Sequence, residues 1–560
     1  MQKGENMSGE PINITKLNTG KEKTNYSHKG VTATGAENSH TPTLSLGETQ
    51  TSNQAENKTP APQSGDSQNV KKETTINPKN TAESDAYKAD PVNMATGAFI
   101  YEDNDYILPE SSHDFKLIRS YNSQENPKNR KSIGRKWTLS VDTAITRVGE
   151  LTVVTLPDTK AVEYRYINGY YINKRGNTKQ YTLIKPENNF IFTDNENNNT
   201  YIYDNEGKIQ TIIDKHGNKT KYSYSENGIK SVELSTGLSL TFTWKDMKIS
   251  EVTDNGGRSV KYHYDRGILT KVTRCDGTEI SYTYDENENL KTVTDGNGCT
   301  YITNQYDEKS RVTIQHLSDG GLIKFSYNEK EKTNTCIDEI NNITTKYTYD
   351  EKLDITKITY EDGTTETTDL DENGLIIKKT DREGAATYYT RDIYGHIITK
   401  EEPSGLITSY TYDKNNIIKI TDNEGRKETY TYDSRNNITH ETKLLEKQEN
   451  GKEKILEKHY TYDKKGRLIK IEKNGITETE YKYTDNHNRP SEERKSTGET
   501  IKRKYDKYLR TTEKETADGT EKYSYTPYNK IKTQETPKKG KTSYYYDKAW
   551  RQIKKVTIKL

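Results

Sequence analysis

The chain has 560 residues, of which only 29% are hydrophobic, well below the usual share for a globular protein. Its 86 basic and 85 acidic residues leave a net charge of +1, so it lacks the high net charge of typical disordered chains and gives no reason to expect a nucleic-acid partner. The 43 tyrosines supply large rings with polar tips, and we therefore predict an ordered, tyrosine-packed protein. No stretch approaches the roughly 18 apolar residues of a membrane span.

Residues 1–85 are polar, rich in turn formers and without a hydrophobic period, which predicts a disordered leader. The first residues, MQKGENMSGEPINITKL, lack the apolar core of a secretory signal peptide. From residue 86 to 200, short alternating runs such as FKLIRSYNS (Phe115–Ser123) and GRKWTLSVDTAI (Gly134–Ile145) predict an N-terminal β domain.

Residues 201–560 repeat the motif Tyr-x-Tyr-Asp. Aligned on its second aromatic residue, the motif recurs at seventeen positions, fifteen of them aromatic. These positions are Tyr203, Tyr224, Trp244, Tyr264, Tyr284, Tyr306, Tyr327, Tyr349, Leu370, Arg391, Tyr412, Tyr432, Tyr462, Tyr483, Tyr505, Tyr525 and Tyr546. Fifteen of the sixteen steps are 20 to 22 residues long, and the step from Tyr432 to Tyr462 is 30. Such a fixed period indicates a repeat architecture.

The repeat that begins at Tyr460 shows the physical logic of the motif. Tyr460 and Tyr462 are two residues apart and therefore share one face of a strand. Asp463 is predicted to open a tight turn by accepting backbone N–H groups two residues on. Gly466 is predicted to adopt the left-handed conformation before the return strand. The same left-handed place is predicted at Gly207, Gly374, Gly395, Asn416 and Asn436.

The return strand and the second turn complete the repeat. Alternation predicts Ile469 and Ile471 on the buried face and Leu468 on the opposite one. A second turn follows at Asn474-Gly475, and Asp-x-x-Gly takes its place in many other repeats. Glu288 stands where Gly or Asn is usual, so we expect a neighbouring asparagine to be left-handed in that loop.

Two short strands and two tight turns leave no room for a crossover helix, so the strands must be antiparallel. We therefore predict an all-β fold in which antiparallel hairpin repeats form one long spiralling sheet, a partial β-shell, after the disordered leader. The 30-residue step holds Asn450-Gly451, a strong hairpin signal, which predicts an extended hairpin insertion near 440–459. A charged helix is the alternative there, because Leu, Glu and Lys are good helix formers.

The sequence predicts no catalytic, cofactor-binding or metal-binding residues, and we expect a protein that is not an enzyme. Cys275, Cys299 and Cys336 form no CxxC pair, which favours unpaired thiols over a zinc site. The aspartate-rich turns lack the spacing of an EF-hand. His263 and His459 have no local Ser or Cys elbow, as nucleophilic catalysis would need.

Two surface features have both a functional and a structural explanation. The Tyr-x-Tyr-Asp motif could stack on sugars, but its recurrence at most hairpins favours packing and turn formation. Residues 501–560 contain 17 basic and 7 acidic residues and could bind nucleic acid or an anionic wall polymer. Their basic residues partly follow strand alternation, which favours a solvated sheet face.

Two segments resemble the RHS/YD-repeat family of bacterial polymorphic toxins and wall-associated proteins, whose repeat is shared by teneurins. One segment is DPVNMATGAFIYEDNDYILPE with LIRSYNSQENPKNRKSIGRKWTLSVD, and the other is the repeat, as in YTYDKKGRLIKIEKNG. The resemblance extends over about residues 89 to 560 and implies a hollow β-shell that encloses a C-terminal toxin domain. The family's core motif, of the type DPxGxxDxxGxNxYxYxxNP, has no counterpart after Asp90-Pro91, so we expect this sequence to end before the core motif and the toxin.

The resemblance implies a non-enzymatic scaffold, part of a shell that encapsulates and delivers a C-terminal or separately encoded toxin in interbacterial competition. The expected partners are the toxin cargo domain and a secretion-machine component. The expected location is the cytoplasm before export and then the exterior or cell surface, by a route without a recognisable signal peptide. The alternative is a cell-surface carbohydrate-binding or adhesive protein. Tyrosines that face inward favour the shell, whereas rows of tyrosines on a convex face favour glycan binding.

Overall fold

The computed structural model describes residues 73–75, 92–109, 114–125, 132–158, 160–174, 179–447, 451–484 and 487–558. All regular secondary structure within these residues is β, in 44 strands. The predicted leader over residues 1–85 lies outside the described residues, except for 73–75. Over the described part of the chain, no helix is long and apolar enough to cross a membrane.

Eight short strands precede the repeats, and seven of them form two small antiparallel sheets. The first strand is β1 (Glu73–Thr75). The three-stranded sheet contains β2 (Ile100–Leu108), β3 (Phe115–Asn122) and β4 (Trp137–Leu139). The four-stranded sheet contains β5 (Ala144–Val148), β6 (Leu151–Thr155), β7 (Ala161–Ile167) and β8 (Tyr170–Asn173).

The rest of the described chain forms one long sheet. Its strands are β9 (Tyr181–Ile184), β10 (Phe190–Asp194), β11 (Asn199–Tyr203), β12 (Ile209–Ile213), β13 (Lys219–Ser225), β14 (Gly228–Glu233), β15 (Ser239–Lys245), β16 (Lys248–Asp254), β17 (Ser259–Asp265), β18 (Ile268–Thr273), β19 (Glu279–Tyr284), β20 (Leu290–Thr294), β21 (Thr300–Tyr306), β22 (Val312–Leu317), β23 (Leu322–Asn328), β24 (Thr333–Asp338), β25 (Ile343–Tyr349), β26 (Ile355–Thr359), β27 (Thr365–Leu370), β28 (Ile376–Thr380), β29 (Ala386–Arg391), β30 (Ile397–Glu401), β31 (Ile407–Asp413), β32 (Asn416–Asp422), β33 (Lys427–Tyr432), β34 (Ile438–Lys447), β35 (Glu453–Tyr462), β36 (Leu468–Lys473), β37 (Ile476–Lys482), β38 (Glu492–Lys495), β39 (Thr500–Tyr505), β40 (Thr511–Thr516), β41 (Gly519–Tyr525), β42 (Ile531–Thr536), β43 (Gly540–Tyr546) and β44 (Gln552–Ile558).

Each strand from β9 to β44 pairs antiparallel with the next strand along the chain, and short turns join most of the pairs. Strand β1 pairs with β44, so the sheet has 37 strands in the described residues. The continuous pairing starts at Tyr181, before the predicted start of the array at residue 201. The predicted all-β, antiparallel fold is confirmed.

Most hairpins contain a β-bulge at the second aromatic residue of the motif. In the β17–β18 hairpin, Tyr264 pairs with Leu269 and the preceding pair uses Lys271, so Thr270 is an extra residue. The extra residue shifts the side-chain phase, so Leu269 and Val272, three residues apart, both lie on the tyrosine side and are fully buried. The same spacing buries Ile229 and Val232, Ile249 and Val252, and Leu290 and Val293.

The bulge also corrects the predicted alternation in the repeat at Tyr460. Tyr462 pairs with Leu468 and Tyr460 pairs with Ile471, so these four side chains share one face. Ile469 is the bulged residue and is only half-buried. The predicted grouping of Ile469 with Ile471 on the buried face is wrong, because a period of two does not hold across a bulge.

The long sheet coils, and its second circuit (β31 to β44) stacks on its first (β10 to β30). Asn436 Nδ2, in the turn after β33, donates to Lys215 O in the turn after β12 at 2.7 Å. Lys548 N, in the turn after β43, donates to Asn297 Oδ1 in the turn after β20 at 3.0 Å. The Asp-x-x-Gly ends of the first circuit thus meet the Tyr-Asp ends of the second, and the predicted spiral is confirmed.

The described residues between 92 and 145, which we call the plug, lie inside the first circuit. Thr143 Oγ1 is 2.9 Å from Tyr203 OH on β11, and Asn334 Nδ2 on β24 donates to Met94 O at 2.8 Å. Strands β11 to β24 extend over roughly 60 Å of sheet at about 4.8 Å per strand. A segment of about 50 residues has a radius of gyration of about 10 Å, so it reaches all these strands only from the concave face.

Strands β34 and β35, with 10 residues each, form the longest hairpin of the long sheet. Their pairing runs from His440 opposite His459 to Lys447 opposite Glu453. These strands occupy the described residues of the segment for which a charged helix was the alternative.

Candidate functional site: the tyrosine face of the coil

Both tyrosines of the motif point to the concave face of the sheet. Tyr262 and Tyr282, each the first aromatic residue of its motif, are buried against the plug. Tyr262 OH donates to Asp105 Oδ2 at 2.7 Å, and the Tyr282 ring lies 4.9 Å from the ring centre of Trp137. The intervening Thr283 lies on the opposite, exposed face. In these repeats the tyrosines are therefore part of the inner wall.

The second tyrosine of the motif has a hydrogen-bonding role between repeats. Tyr264 OH donates to Ile249 O, in the preceding hairpin, at 2.6 Å. Pairing between β16 and β17 starts only at Glu251 opposite Lys261, so Ile249 O lies outside the β16–β17 ladder. The tyrosine hydroxyl supplies the donor that this carbonyl would otherwise lack.

The same bond recurs through both circuits. It joins Tyr284 to Leu269 O, Tyr306 to Leu290 O, Tyr412 to Ile397 O, Tyr432 to Ile417 O, Tyr483 to Leu468 O, Tyr505 to Pro490 O and Tyr546 to Ile531 O. In the degenerate repeat, Arg391 Nε donates to Ile376 O at 3.1 Å in place of a tyrosine hydroxyl. The repeated tyrosine is thus a scaffold residue with a defined bond.

The aspartate of the motif caps its turn. Asp463 Oδ1 accepts the backbone N–H groups of Lys465 at 2.8 Å and Arg467 at 3.0 Å, and Arg467 Nε donates to Oδ2 at 2.7 Å. Burial acts to raise the pKa of Asp463, but these hydrogen bonds outweigh it and hold the pKa below its ordinary value. The predicted capping by the aspartate is confirmed.

The left-handed residue three positions after the aspartate is confirmed at Gly207, Gly374, Gly395, Asn436 and Gly466. The prediction for Asn416 is wrong, because Asp413 pairs directly with Asn416 and Lys414 is left-handed instead, with φ 55°. The β31–β32 turn therefore has two residues, as do the turns of the β13–β14, β15–β16 and β17–β18 hairpins.

The loop at Glu288 does not differ from the others. Glu288 itself has φ 60°, and its N–H donates to Asp285 O at 3.1 Å, as in the glycine-containing loops. The expectation of a left-handed asparagine beside it is wrong, because Glu288 itself is left-handed and neither Asn287 nor Asn289 has a positive φ. Asn289 Nδ2 donates to Asp285 Oδ2, and its Oδ1 accepts from the Lys136 ammonium of the plug at 2.7 Å.

A buried cation joins the plug to the wall. Arg119 NH2 lies 2.9 Å from Asp103 Oδ2 and 3.1 Å from Asp105 Oδ1, and its guanidinium lies 5.4 Å from the ring centre of Trp137. Arg119 also donates to the Tyr282 hydroxyl. Burial raises the pKa of Asp105, which the charge of Arg119 opposes, and burial raises the pKa of Tyr282 to about 12. The buried charges neutralise one another, and the cluster holds the plug against the inner wall.

The concave face of the second circuit is more polar. Glu428 is buried there and binds Arg426 NH2 at 2.9 Å, and it also accepts the Tyr430 hydroxyl at 2.8 Å. Tyr460 OH donates to Glu441 Oε2 at 2.7 Å. Tyrosine rings and paired charges therefore alternate on this stretch of the inner wall.

Apart from His459, the candidate residues from the sequence lie in different hairpins. Cys275, Cys299 and Cys336 form no disulfide bond within the described residues, and burial raises the pKa of Cys275 to about 11. His263 lies on the outer face with its Nε2 2.9 Å from Thr273 Oγ1. Basic residues of the C-terminal stretch pair with carboxylates, as Arg510 does with Asp506 and Lys504 with Glu513.

The sequence reasoning missed one cluster, formed by His440, Glu457 and His459, which we call the histidine clamp. Its three donor atoms lie within 4.8 Å of one another. The available signal was the position of His440 and His459 on either side of the Asn450-Gly451 turn, which places them on opposite strands of one hairpin. Their separation along the chain concealed them from a search for closely spaced ligands.

Three family models match parts of the chain. The model described as "Domain of unknown function (DUF6531)" matches residues 89–164, "Teneurin YD-shell" matches 187–301, and "RHS Repeat" matches 413–443. The last two fall on the tyrosine-aspartate hairpins of the first and second circuits. The chain carries YD-shell and RHS repeats over these two segments.

Several solved structures resemble this RHS/YD-repeat protein. The crystal structure of TcdB2-TccC3-TEV is 12% identical, and the match covers 79% of this chain and 30% of the TcdB2-TccC3-TEV chain, with a TM-score of 0.36. The crystal structure of TcdB2-TccC3 without its hypervariable C-terminal region is 12% identical, and the match covers 78% of this chain and 30% of that one, with a TM-score of 0.36. A Photorhabdus luminescens Tc holotoxin pore is 11% identical, and the match covers 80% of this chain and 30% of that one, with a TM-score of 0.33. The chain thus spans about 30% of the length of these structures. No curated protein matches it.

Proposed function

We propose that this RHS/YD-repeat protein forms the wall and plug of a non-enzymatic shell. The shell would encapsulate a toxin, attached C-terminally or encoded as a separate chain, and deliver it in competition between bacteria. The observation that carries the proposal is the direction of the tyrosine face, which lies inside the coil and is filled by the plug in the first circuit.

The inner wall of the second circuit has the chemistry that a container for a polypeptide needs. Its tyrosine rings offer apolar contact with a polar tip, and charged pairs such as Glu428 and Arg426 offer polar partners beside them. Cargo would then contact the wall at many weak points, without a single strong binding site. The shell would assemble in the cytoplasm and leave by a secretion machine that does not read a signal peptide.

Co-expression of the chain with its downstream reading frame tests the proposal. Electron microscopy is expected to show a hollow particle, and limited proteolysis is expected to spare the cargo while it is enclosed. The matched control is cargo expressed without the shell, which should be digested. A compact solid particle, or cargo digested equally fast in both samples, would overturn the proposal.

Glycan binding would require rows of tyrosine on the convex face. Among the described outer-face residues, the most exposed tyrosines of the long sheet are Tyr388 and Tyr545, and they lie on widely separated strands. We therefore expect no hits on a glycan array. Strong and specific hits, abolished by Tyr388→Ala or Tyr545→Ala, would favour the adhesive function.

A further inference from the structure

The histidine clamp lies on the outer face of the sheet, at the start of the longest hairpin. His440 on β34 is directly opposite His459 on β35. Glu457 is two residues before His459 on the same strand and therefore shares its face. Tyr460, on the opposite face, belongs to the inner wall, so the clamp is separate from the surface that the shell function uses.

The donor atoms of the clamp converge. His440 Nε2 and His459 Nε2 lie 2.8 Å and 3.4 Å from the same oxygen, Glu457 Oε1. The two imidazole rings stack at 4.3 Å with an angle of 14° between their planes. Both nitrogens therefore lie beside the same oxygen, and a tilt of the rings out of the stack would turn both lone pairs to one ion.

These distances match those between ligands of one small ion. Zinc binds histidine nitrogen and carboxylate oxygen at about 2.0–2.2 Å in tetrahedral geometry, which places neighbouring donor atoms roughly 3.3 Å apart. The two nitrogen–oxygen pairs of the clamp, at 2.8 Å and 3.4 Å, lie within about 0.5 Å of that spacing, and all three donor atoms lie within 4.8 Å of one another. All three side chains are partly exposed, so an ion has a path from solvent and room for water as a fourth ligand.

We propose that His440, Glu457 and His459 bind one divalent transition-metal ion, with zinc as the reference case. Two imidazoles and one carboxylate suit Zn²⁺, Cu²⁺ or Ni²⁺, whereas Ca²⁺ and Mg²⁺ prefer all-oxygen sites. The ligands lie on adjacent strands of a hydrogen-bonded ladder, so little backbone order is lost on binding. The ion would tie β34 to β35 where the hairpin begins to extend beyond the neighbouring repeats.

The neighbouring outer-face charges are compatible with a cation. Glu472 lies opposite His459 on β36, and its carboxylate binds Lys470 at 2.8 Å. The local balance around the clamp therefore includes two carboxylates and one ammonium, in addition to the two imidazoles. A cation does not have to displace a positive side chain from the site.

Titration of tag-free protein, first treated with EDTA, with ZnCl₂ by calorimetry tests the site. One tight equivalent is expected. Because even the outer-shell partners of a metal are worth about 10- to 100-fold in affinity, His440→Ala and His459→Ala should each weaken binding by at least about tenfold. Glu457→Gln should weaken it as well while keeping the shape of the side chain.

Electron paramagnetic resonance with CuCl₂ gives a second measurement of the same site. Two nitrogen ligands are expected in the parent protein and one in His440→Ala. His263→Ala is the matched control, because His263 is an outer-face strand histidine outside the clamp, and it should leave both results unchanged. Hydrogen exchange of β34 and β35 in EDTA checks that the variants keep the hairpin.

Two results would overturn the proposal. One is the absence of a tight equivalent of Zn²⁺ in the parent protein. The other is Zn²⁺ or Cu²⁺ binding that persists unchanged in the double variant His440→Ala/His459→Ala. Either result would leave the clamp as a hydrogen-bonded trio on the sheet surface.

Discussion

At the residue scale, each part of the YD motif has one physical task. The first tyrosine fills the inner wall, the second donates to a carbonyl of the preceding hairpin, and the aspartate satisfies the N–H groups of its turn. The substitution of a tyrosine by Arg391 follows the same rule, because its Nε donates to the same type of carbonyl. The motif is therefore defined by hydrogen-bonding positions more strictly than by aromatic character.

Tyr264→Phe tests the bond between repeats. The change keeps the ring but leaves Ile249 O without its donor, which should cost about 1–3 kcal/mol of local stability. Native-state hydrogen exchange of β16 and β17 measures the effect. Tyr545→Phe, at an exposed outer-face tyrosine, is the control and should change stability by less than about 0.5 kcal/mol. Equal effects of the two changes would contradict the assigned role.

The carboxylate of Asp463 makes the stability of its turn depend on pH. Its folded pKa is held below the ordinary value, so its stabilisation is complete above the ordinary aspartate pKa near 4 and is lost as the pH falls through the folded value. Asp463→Ala should therefore accelerate hydrogen exchange of β35 and β36 at pH 7 but make little difference at pH 2. Lys464→Ala, in the same turn, should have no effect at either pH. An effect of Asp463→Ala that does not depend on pH would contradict capping by the carboxylate.

At the element scale, the bulge decides which side chains the hairpins bury. It places apolar residues three apart on one face, as with Leu269 and Val272, and it leaves the carbonyl that the next tyrosine binds. The plug is the second decisive element. It converts the concave face of the first circuit into a core, although only 29% of the sequence is hydrophobic.

Arg119→Met tests the fastening of the plug. The substitution keeps much of the side-chain volume but leaves Asp105 without its buried cation, which should cost about 3–5 kcal/mol, whereas Asp103 keeps its pair with Arg274 at 2.9 Å. Limited proteolysis should then cleave the plug segment while the second circuit stays resistant. Lys116→Ala, at an exposed position of the same strand, should behave as the parent protein. A plug that remains equally protected in both variants would show that the cluster does not hold it.

At the scale of the whole molecule, contacts between circuits make the sheet a coil of defined pitch. Gly256 lies in the β16–β17 turn at the edge of the first circuit, where an added Cβ atom would collide with Tyr508 Oη. Lys507 Nζ donates to Gly256 O in the same contact. Because successive circuits touch at such points, the stability of the array is a sum of neighbouring repeats plus these contacts between circuits.

Gly256→Val tests the stacking of the circuits. Its side chain would collide with Tyr508, so small-angle scattering should show an expanded particle and hydrogen exchange should rise in the turns at both residues. Gly256→Val combined with Tyr508→Ala should restore part of the compaction, because residues in contact show coupled effects. A compact single variant would contradict the close approach of the circuits.

The sequence by itself determined the period, the antiparallel pairing, the aspartate caps and most left-handed turn residues, because these depend on residues close together in the chain. It did not reveal the β-bulge that places Leu468 and Ile471 on the same face, since one extra residue interrupts an alternation that otherwise holds along the strand. Only the tertiary structure decided that the plug lies inside the first circuit, that Gly256 meets Tyr508, and that His440 faces His459. These contacts join residues that are distant along the chain, and they follow from the curvature of the sheet and the register of one long hairpin.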